Sequence, residues 1–376
     1  MTMVRYVNFR HFAARYGDEM HAIFARVLDS GRYIGGNELV EFERKFASFC
    51  ETAHAIGVAN GQDALELTLR AWNVGPGDEV IVPANTFVAT ALAVSHTGAR
   101  LVLCDAEPDS GSINVAAVAS AITPATRVII PVHLFGHPAD IDALVEIARD
   151  RGIRILEDAA HAHGATYKGR RCGGLADAAA FSFYPTKNLG ALGDAGCVTT
   201  DDAELAGRLR SLRDRGAASR DLYLELGYNS RLDAVQAAIL RWKLERVDEW
   251  NRRRNDLARF YLFELSGVHG VVLPAIRSWA KPVWHAFAIL VPGSIRDEVQ
   301  QALLEDGIET NVHYRLPIHL QPCYSDRGWQ RGDYPVSERR ADESLSLPLD
   351  PFHTENEVAR VVASLRNALN RLRVAG

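Results

Sequence analysis

Short apolar runs alternate with stretches of helical periodicity along the first part of the chain. The runs are four to six residues long, a length typical of buried strands. Between two of them, Leu65, Leu69 and Trp72 recur at i, i+4 and i+7, the spacing of one helix face. Strands that alternate with helices predict an α/β fold with a largely parallel sheet, covered by helices on both faces. The predicted strands are residues 55–58, 79–82, 101–104, 127–132, 153–157 and 178–183.

The pattern changes in the last third of the chain. A helical pattern runs from about residue 232 to 265, and about thirty helical residues span roughly 45 Å, enough to bridge two domains. Strand-like runs at 284–291 and 308–313 alternate with helical patterns at 296–305 and 356–372. We therefore expect a large domain over 1–254, with the N-terminal segment, and a smaller C-terminal α/β domain over 255–376.

Composition places the chain among soluble globular proteins. Of its 376 residues, 47% are hydrophobic and 24% are charged. The net charge of −5 argues against a nucleic-acid-binding surface. Five scattered cysteines without a CxxC pair favour a reducing compartment, and we expect a cytoplasmic protein.

Two further features argue against a metal site and a membrane span. His161 and His163 are two residues apart with no third ligand nearby, so no metal is predicted. The most apolar region, residues 80–94, is interrupted by Pro83 and Asn85 and is too short to cross a bilayer.

An acid and an amine follow two consecutive predicted strands. Asp158 comes directly after the run 153–157, and Lys187 comes shortly after the run 178–183. The carboxyl ends of parallel strands meet at the edge where ligands bind. A lysine amine and a carboxylate are what pyridoxal phosphate needs, for its Schiff base and its pyridinium nitrogen. Ser182 is placed to donate to the cofactor phosphate, although spacing alone leaves open an ordinary salt bridge between Asp158 and Lys187.

Two segments carry a family resemblance. Residues 157–165 (Glu-Asp-Ala-Ala-His-Ala-His-Gly-Ala) and 182–190 (Ser-Phe-Tyr-Pro-Thr-Lys-Asn-Leu-Gly) resemble the nucleotide-sugar aminotransferases of the DegT/DnrJ/EryC1/StrS family. The similarity extends over nearly the whole chain. It implies a fold-type I aminotransferase with pyridoxal phosphate as its cofactor and pyridoxamine phosphate as the intermediate form.

The resemblance assigns roles around the cofactor. It implies that Lys187 forms the Schiff base, that Asp158 binds the pyridinium nitrogen and that Ser182 binds the phosphate. The position of Phe87 stacks on the pyridine ring in the family. The position of His161 is Gln or His and contacts the ring near its phenolic oxygen, for which histidine retains a donor.

Two further positions are expected to hold the phosphate. The turn before Gly61 opens a helix, so the N–H groups of Gly61 and Gln62 are available to an anion. From the residues alone this is a plain capped helix; the resemblance implies a phosphate cradle, although many relatives carry Ser or Thr where Gln62 stands. Asn229 alone suggests a helix N-cap. The family implies instead that it crosses to the partner's cofactor phosphate, which makes a homodimer with shared active sites.

Four residues are expected near the substrate. Tyr33 lies in a glycine-rich loop that the family places beside the active site, and Tyr184 is close to Lys187. His313 and Tyr314 open the segment 313–322. Two interpretations of His133 remain open, a contact with the cofactor or a structural role.

The segment 313–322 also bears on which ketone is aminated. It resembles His-Tyr-Pro-x-Pro-x-His-Leu-Gln, a feature of family members that act on the C3 ketone of a sugar. Arg315 stands where this pattern has its first proline, which weakens the inference.

The resemblance implies a ping-pong transamination with L-glutamate as donor. Lys187 would move a proton between the donor's α-carbon and the cofactor's C4′ carbon. The expected substrate is a dTDP-3-keto-6-deoxyhexose. The alternatives are a dTDP-4-keto-6-deoxyhexose and a cofactor-binding regulatory protein without turnover. A sugar dehydratase is disfavoured, because the family's dehydratases replace the Schiff-base lysine with histidine.

Overall fold

The computed structural model describes residues 3–374. The strands in chain order are β1 (His54–Val58), β2 (Glu79–Pro83), β3 (Arg100–Cys104), β4 (Thr126–Ile129), β5 (Arg154–Asp158), β6 (Thr166–Tyr167), β7 (Arg170–Arg171), β8 (Ala178–Ser182), β9 (Gly196–Thr200), β10 (Ala217–Ser219), β11 (Leu222–Tyr223), β12 (Ala280–Lys281), β13 (Phe287–Leu290) and β14 (Ser344–Leu347). The α-helices are α1 (Phe9–Ser30), α2 (Asn37–Cys50), α3 (Gly61–Ala71), α4 (Val88–Thr97), α5 (Val115–Ala121), α6 (Ile141–Ala148), α7 (Ala203–Leu212), α8 (Ala234–Leu244), α9 (Val247–Glu264), α10 (Arg296–Glu305), α11 (Pro335–Glu343) and α12 (Glu355–Val374). Short 3₁₀ helices cover Leu134–Gly136, Ile318–Leu320 and Pro322–Arg327.

A seven-stranded sheet forms the centre of the molecule, in the order β1-β9-β8-β5-β4-β2-β3. Strand β9 is antiparallel to both of its neighbours, and every other pair in the sheet is parallel. Six strands therefore run in one direction. The predicted α/β class with a largely parallel sheet is confirmed.

The sheet is covered on both faces, which explains its apolar sequence. All five residues of β2 are buried. Val80 and Val82 pack into one core with Leu65 of α3, whereas Ile81 packs into another core with Leu144 of α6. A strand with both faces buried needs apolar residues at consecutive positions. This requirement produced the continuous runs from which the strands were predicted.

Strand register brings the two predicted catalytic groups to one edge. Asp158 is the last residue of β5 and pairs with Ala180 of β8. The β8 strand ends at Ser182, and Lys187 lies in the loop that follows. Because β5 and β8 are parallel neighbours, their carboxyl ends open on the same side of the sheet.

A separate apolar core lies in the C-terminal part of the chain. It includes Leu257 of α9, Phe287 of β13 and Leu345 of β14, and Val4 from the N-terminus packs into it. The Val4 N–H donates to Gly307 O (2.9 Å). The expected division between residues 254 and 255 falls within α9 and stays a prediction.

The predicted long helix over 232–265 is wrong. It consists of α8 and α9, which are interrupted at Glu245 and Arg246. Buried positions continue across the interruption from Leu244 to Val247 and Trp250, so the apolar spacing does not reveal it.

The predicted strand over 308–313 is also wrong. Ile308 forms an isolated bridge with Val4, and Asn311 forms another with Ser346. Because the segment changes partner within three residues, it has no continuous ladder of hydrogen bonds.

Within residues 3–374, no helix is long and apolar enough to cross a bilayer. The five cysteines are free thiols, of which Cys323 is exposed and the other four are buried.

Candidate active site

Asp158 is a buried carboxylate at the end of β5. Its Oδ2 accepts a hydrogen bond from Thr90 Oγ1 (2.8 Å), and its Oδ1 accepts from the N–H of Ala160 (3.2 Å). Burial raises the pKa of Asp158, although both hydrogen bonds and the charge of Lys187 oppose the rise. A carboxylate in this environment is stabilised by an adjacent cation, such as a protonated pyridine nitrogen.

Lys187 lies at the same edge of the sheet. Burial lowers the pKa of its amine to about 8, and the Asp158 carboxylate acts in the opposite direction. Such an amine is partly neutral near pH 7 and can serve as a nucleophile or a base. Within residues 3–374, no ion pair of 4.0 Å or less joins Lys187 to Asp158. The structure therefore places the two groups in one site without the simple salt bridge that spacing left open.

His161 is a neutral ring that retains a donor. Its Nδ1 accepts from the N–H of Phe135 (3.3 Å), which leaves the ring proton on Nε2. Burial lowers the pKa of His161 well below its ordinary value, with a further contribution from the charge of Lys187. The predicted contact with the phenolic oxygen of the cofactor ring needs a donor such as this Nε2–H.

Two more histidines lie in this region, and no role was predicted for either of them. The His285 ring stacks on His161, with centroids 4.2 Å apart at 26°. His163 is fully buried against the rings of Phe181 and Phe183, and burial lowers its pKa to about 3. His285 is far from the family motifs in the chain, so no local pattern could have indicated it.

The segment that begins at His313 reaches the same site. His313 Nδ1 is hydrogen-bonded to Ser346 Oγ (2.8 Å), and burial together with the charge of Lys187 lowers its pKa to about 4. Tyr314 follows it, and burial together with the Asp158 carboxylate raises the pKa of its hydroxyl. The structure therefore brings both predicted substrate residues close to the acid and the amine.

The other predicted aromatic residues are about half exposed. Phe87 immediately precedes α4, and its ring lies 5.5 Å from that of Tyr314. Tyr184 is at the start of the Lys187 loop. The Tyr33 hydroxyl donates to Leu28 O (3.3 Å), and this contact does not connect it to the site. The roles of all three stay predictions.

A cradle for an anion lies where α3 begins. The Asn60 side chain accepts from the N–H of Asp63 (2.8 Å), while the N–H groups of Gly61 and Gln62 occupy the helix start. A Cβ added to Gly61 would lie 2.6 Å from the Cβ of Ser182, so only glycine permits this approach. Helix α3 and the end of β8 thus bring the predicted phosphate ligands together.

Asn229 is separate from this group. It is exposed, and its backbone forms an isolated antiparallel bridge with Asp214. No hydrogen bond within residues 3–374 joins its side chain to Lys187 or Ser182.

His133 is fully buried. Its Nε2–H donates to Glu157 Oε2 (2.9 Å), and its Nδ1 accepts from the N–H of Ala139 (3.1 Å). Glu157 Oε2 also accepts from the N–H of Gly173 (2.8 Å). Ligand-type atoms of His133, Glu157 and Cys172 lie within 4.8 Å of one another, but both histidine nitrogens are already bonded. Its full burial and these hydrogen bonds favour the structural interpretation, and the contact with the cofactor stays untested.

These residues fit pyridoxal phosphate. Lys187 would hold its aldehyde carbon, Asp158 its pyridine nitrogen, and Gly61 and Ser182 its phosphate. When bound, the cofactor supplies an electron sink for the carbon next to a substrate amine. Fold and site together define the class of pyridoxal-phosphate-dependent enzymes of fold type I.

Within that class, the chain belongs to the DegT/DnrJ/EryC1/StrS aminotransferase family, which matches residues 15–366. It is a pyridoxal-phosphate-dependent sugar aminotransferase, so the predicted family, enzyme class and cofactor are confirmed.

Three relatives illustrate the similarity. The dTDP-3-amino-3,4,6-trideoxy-alpha-D-glucose transaminase of Streptomyces venezuelae is 49% identical over 94% of this chain and 93% of its own. The erythromycin biosynthesis sensory transduction protein EryC1 of Saccharopolyspora erythraea is 49% identical over 91% of this chain and 93% of its own. The crystal structure of S. venezuelae DesV in complex with a ketimine intermediate covers 98% of both chains, with a TM-score of 0.95 and 47% identity.

Proposed function

We propose that this enzyme transfers an amino group from L-glutamate to the C3 ketone of a dTDP-linked 6-deoxyhexose and releases the dTDP-linked 3-amino sugar. The observation that carries the proposal is the arrangement of the Lys187 loop and the buried Asp158 at one edge of the parallel sheet. The substrate is supported by the 49% identity to an enzyme whose name specifies a dTDP-linked 3-amino sugar. The donor rests on the family resemblance.

Each residue has a distinct part in the proposed reaction. Lys187 would hold the cofactor's aldehyde carbon, and its amine, once free, would move a proton between the donor's α-carbon and the C4′ carbon. Asp158 keeps the pyridine nitrogen protonated, because a buried carboxylate is stabilised by that cation. With the keto sugar bound in place of 2-oxoglutarate, Lys187 would move the proton in the reverse direction.

The contacts of Arg315 leave the C3 assignment in place. Its guanidinium donates to Asp297 Oδ1 (3.0 Å) and to Gln300 Oε1 (2.7 Å) on α10. The arginine that replaces the family's proline is therefore bound at the surface, while His313 and Tyr314 lie beside the site. On this basis we retain the segment 313–322 as a marker of the C3 ketone.

A single-turnover experiment tests the substrate. The enzyme is converted to its pyridoxamine form with glutamate, freed of excess donor and mixed with a dTDP-3-keto or dTDP-4-keto 6-deoxyhexose. We expect the absorbance of the Lys187 Schiff base to return in one turnover with the 3-keto sugar. The 4-keto sugar is expected to react at least about 100-fold more slowly, because its ketone is displaced from the reacting carbon.

Other outcomes would separate the alternatives. Return only with the 4-keto sugar would contradict the C3 assignment and leave the mechanism intact. If glutamate did not change the spectrum, the donor would be wrong. A regulatory role without turnover, which the name of one relative suggests, would require that neither sugar restores the absorbance.

We further propose that two copies share their active sites. Asn229 is exposed, and the family resemblance implies that its side chain contacts the cofactor phosphate of a second copy. The nearby segment exposes Leu222, Tyr223, Leu224 and Leu226, and Leu226 is 96% exposed. A cluster of exposed apolar side chains is typical of an interface. The homodimer would cover these side chains and complete both sites.

Hybrid dimers test the shared site. Lys187→Ala and Asn229→Ala are each expected to be inactive or nearly so at limiting cofactor. After mixing and subunit exchange, about half of the dimers would be hybrids with one intact site each, so about a quarter of the wild-type activity should return. Mass spectrometry of the intact dimers would confirm the exchange. Exchange without recovery would show that each site is built from one chain.

We also propose that the enzyme acts in the cytoplasm, without a nucleic-acid or membrane partner. The free thiols and the net charge of −5 support this proposal.

A further inference from the structure

A second lysine, Lys243 of α8, is buried close to the Lys187 loop. It is 6% exposed, and its Nζ donates to Gly190 O at 2.6 Å. Its ammonium also lies 4.2 Å from the centre of the Phe12 ring. Within residues 3–374, no carboxylate lies within 4.0 Å of this amine, and burial lowers its pKa to about 8. The proposed transamination does not use this amine.

The loop that Lys243 contacts is tightly closed. The N–H of Lys187 donates to Tyr184 O (2.8 Å), and the N–H of Ala191 donates to Phe183 O (2.8 Å). A Cβ added to Gly190 would lie 2.3 Å from Pro185 O, so the chain returns close to its own starting point. The conformation of residues 184–190 therefore determines where the Lys187 side chain begins.

Helix α9 holds the same loop at a second point. Asn188 Nδ2 donates to Asn251 Oδ1 (2.9 Å) and to Val283 O (2.9 Å). Asn251 Nδ2 in turn donates to His163 O (2.7 Å). The residue after Lys187 is thus connected to the segment that follows Asp158.

We propose that Lys243 is a positioning residue for Lys187. It fixes the Gly190 end of the loop 184–190, while Asn188 and Asn251 fix the middle of the loop. The effect is mechanical. Burial lowers the pKa of Lys187, and the Asp158 carboxylate opposes this change. A hydrogen bond from a charged donor is stronger than one from a neutral donor, which suits a residue that must hold a backbone carbonyl in place.

The inference rests on the proposed role of Lys187 and is tested without turnover. When pyridoxal phosphate is added to cofactor-free enzyme, the Lys187 nitrogen bonds to the aldehyde carbon and a water molecule leaves. In Lys243→Met, which keeps the length of the side chain and loses the donor, we expect this step to slow about tenfold because the amine is misplaced. The dissociation constant of pyridoxamine phosphate, which forms no Schiff base, should change less than about twofold.

Matched variants complete the experiment. Lys45→Met removes a partly exposed lysine paired with Glu245 (2.6 Å) and should behave as wild type. If Lys243→Met does not fold, Lys243→Gln, which retains an uncharged donor, is measured in the same way. Its rate of Schiff-base formation should lie between that of the wild type and the tenfold decrease expected for Lys243→Met. Equal weakening of Schiff-base formation and pyridoxamine phosphate binding would overturn the inference, because it would show general damage to the site. Unchanged Schiff-base formation would also overturn it.

Borohydride reduction of the wild type separates this inference from the proposed function. Trapping of the cofactor on another lysine, Lys243 included, would contradict the proposed role of Lys187. Trapping of the cofactor on Lys187, combined with a wild-type rate of Schiff-base formation in Lys243→Met, would contradict only the proposed role of Lys243.

Discussion

Lys187→Ala is expected to lower the transamination rate by about four orders of magnitude or more. The substitution removes the nitrogen that binds the cofactor covalently and also the base that transfers the proton. Steady-state turnover and both half-reactions should be lost together, because the proton transfer occurs in each. The variant should still bind pyridoxamine phosphate, since Gly61, Ser182 and Asp158 remain in place.

The control for this experiment lies within the chain. Lys243 is also buried and its pKa also falls to about 8, so a partly neutral buried amine is not unique to position 187. Borohydride should trap the cofactor on Lys187 in the wild type and on no lysine in Lys187→Ala. Trapping on Lys243 in the variant together with substantial activity would contradict the assignment.

The sequence could predict those features that depend on local composition. Continuous apolar runs are required where a strand is covered on both faces, so residues such as Val80, Ile81 and Val82 indicated the parallel sheet. The acid and the lysine were predictable because Asp158 ends one strand and Lys187 lies in the loop after the next, and neighbouring parallel strands end at the same edge.

Features that depend on distant contacts could not be predicted. The interruption between α8 and α9 leaves the apolar spacing unchanged, so the spacing predicts one continuous helix. The 308–313 segment has strand-like residues but divides its bridges between Val4 and Ser346. The role of His133 was ambiguous because its hydrogen-bond partner, Glu157, lies on β5, far from it in the sequence. His285 and Lys243 lie outside the recognised motifs, and only the packing of the chain brings them close to the site.

Asp158→Asn is expected to reduce the transamination rate about 1000-fold while the protein remains folded. An asparagine fits the existing hydrogen bonds, because its carbonyl oxygen can accept from the Ala160 N–H. Its amide can donate to Thr90 Oγ1, whose proton can turn towards Thr86 Oγ1, 3.1 Å away. The amide carries no charge, however, and cannot keep the pyridine nitrogen protonated. Both half-reactions should slow, because each requires the electron sink.

The pKa of Asp158 allows loss of function to be separated from loss of stability. Burial raises this pKa in the folded protein, so folding favours the protonated form and the contribution of Asp158 to stability is lost as the pH rises through its folded pKa. Cofactor-free Asp158→Asn should therefore be at least as stable as the wild type at pH 7, and any advantage should diminish towards acidic pH. Thermal unfolding of the two cofactor-free proteins between pH 4 and pH 8 measures this, with turnover measured on the same preparations. Turnover close to that of the wild type would show that Asp158 does not sustain the electron sink. A marked loss of stability at pH 7 would instead assign Asp158 to the structure of the sheet edge.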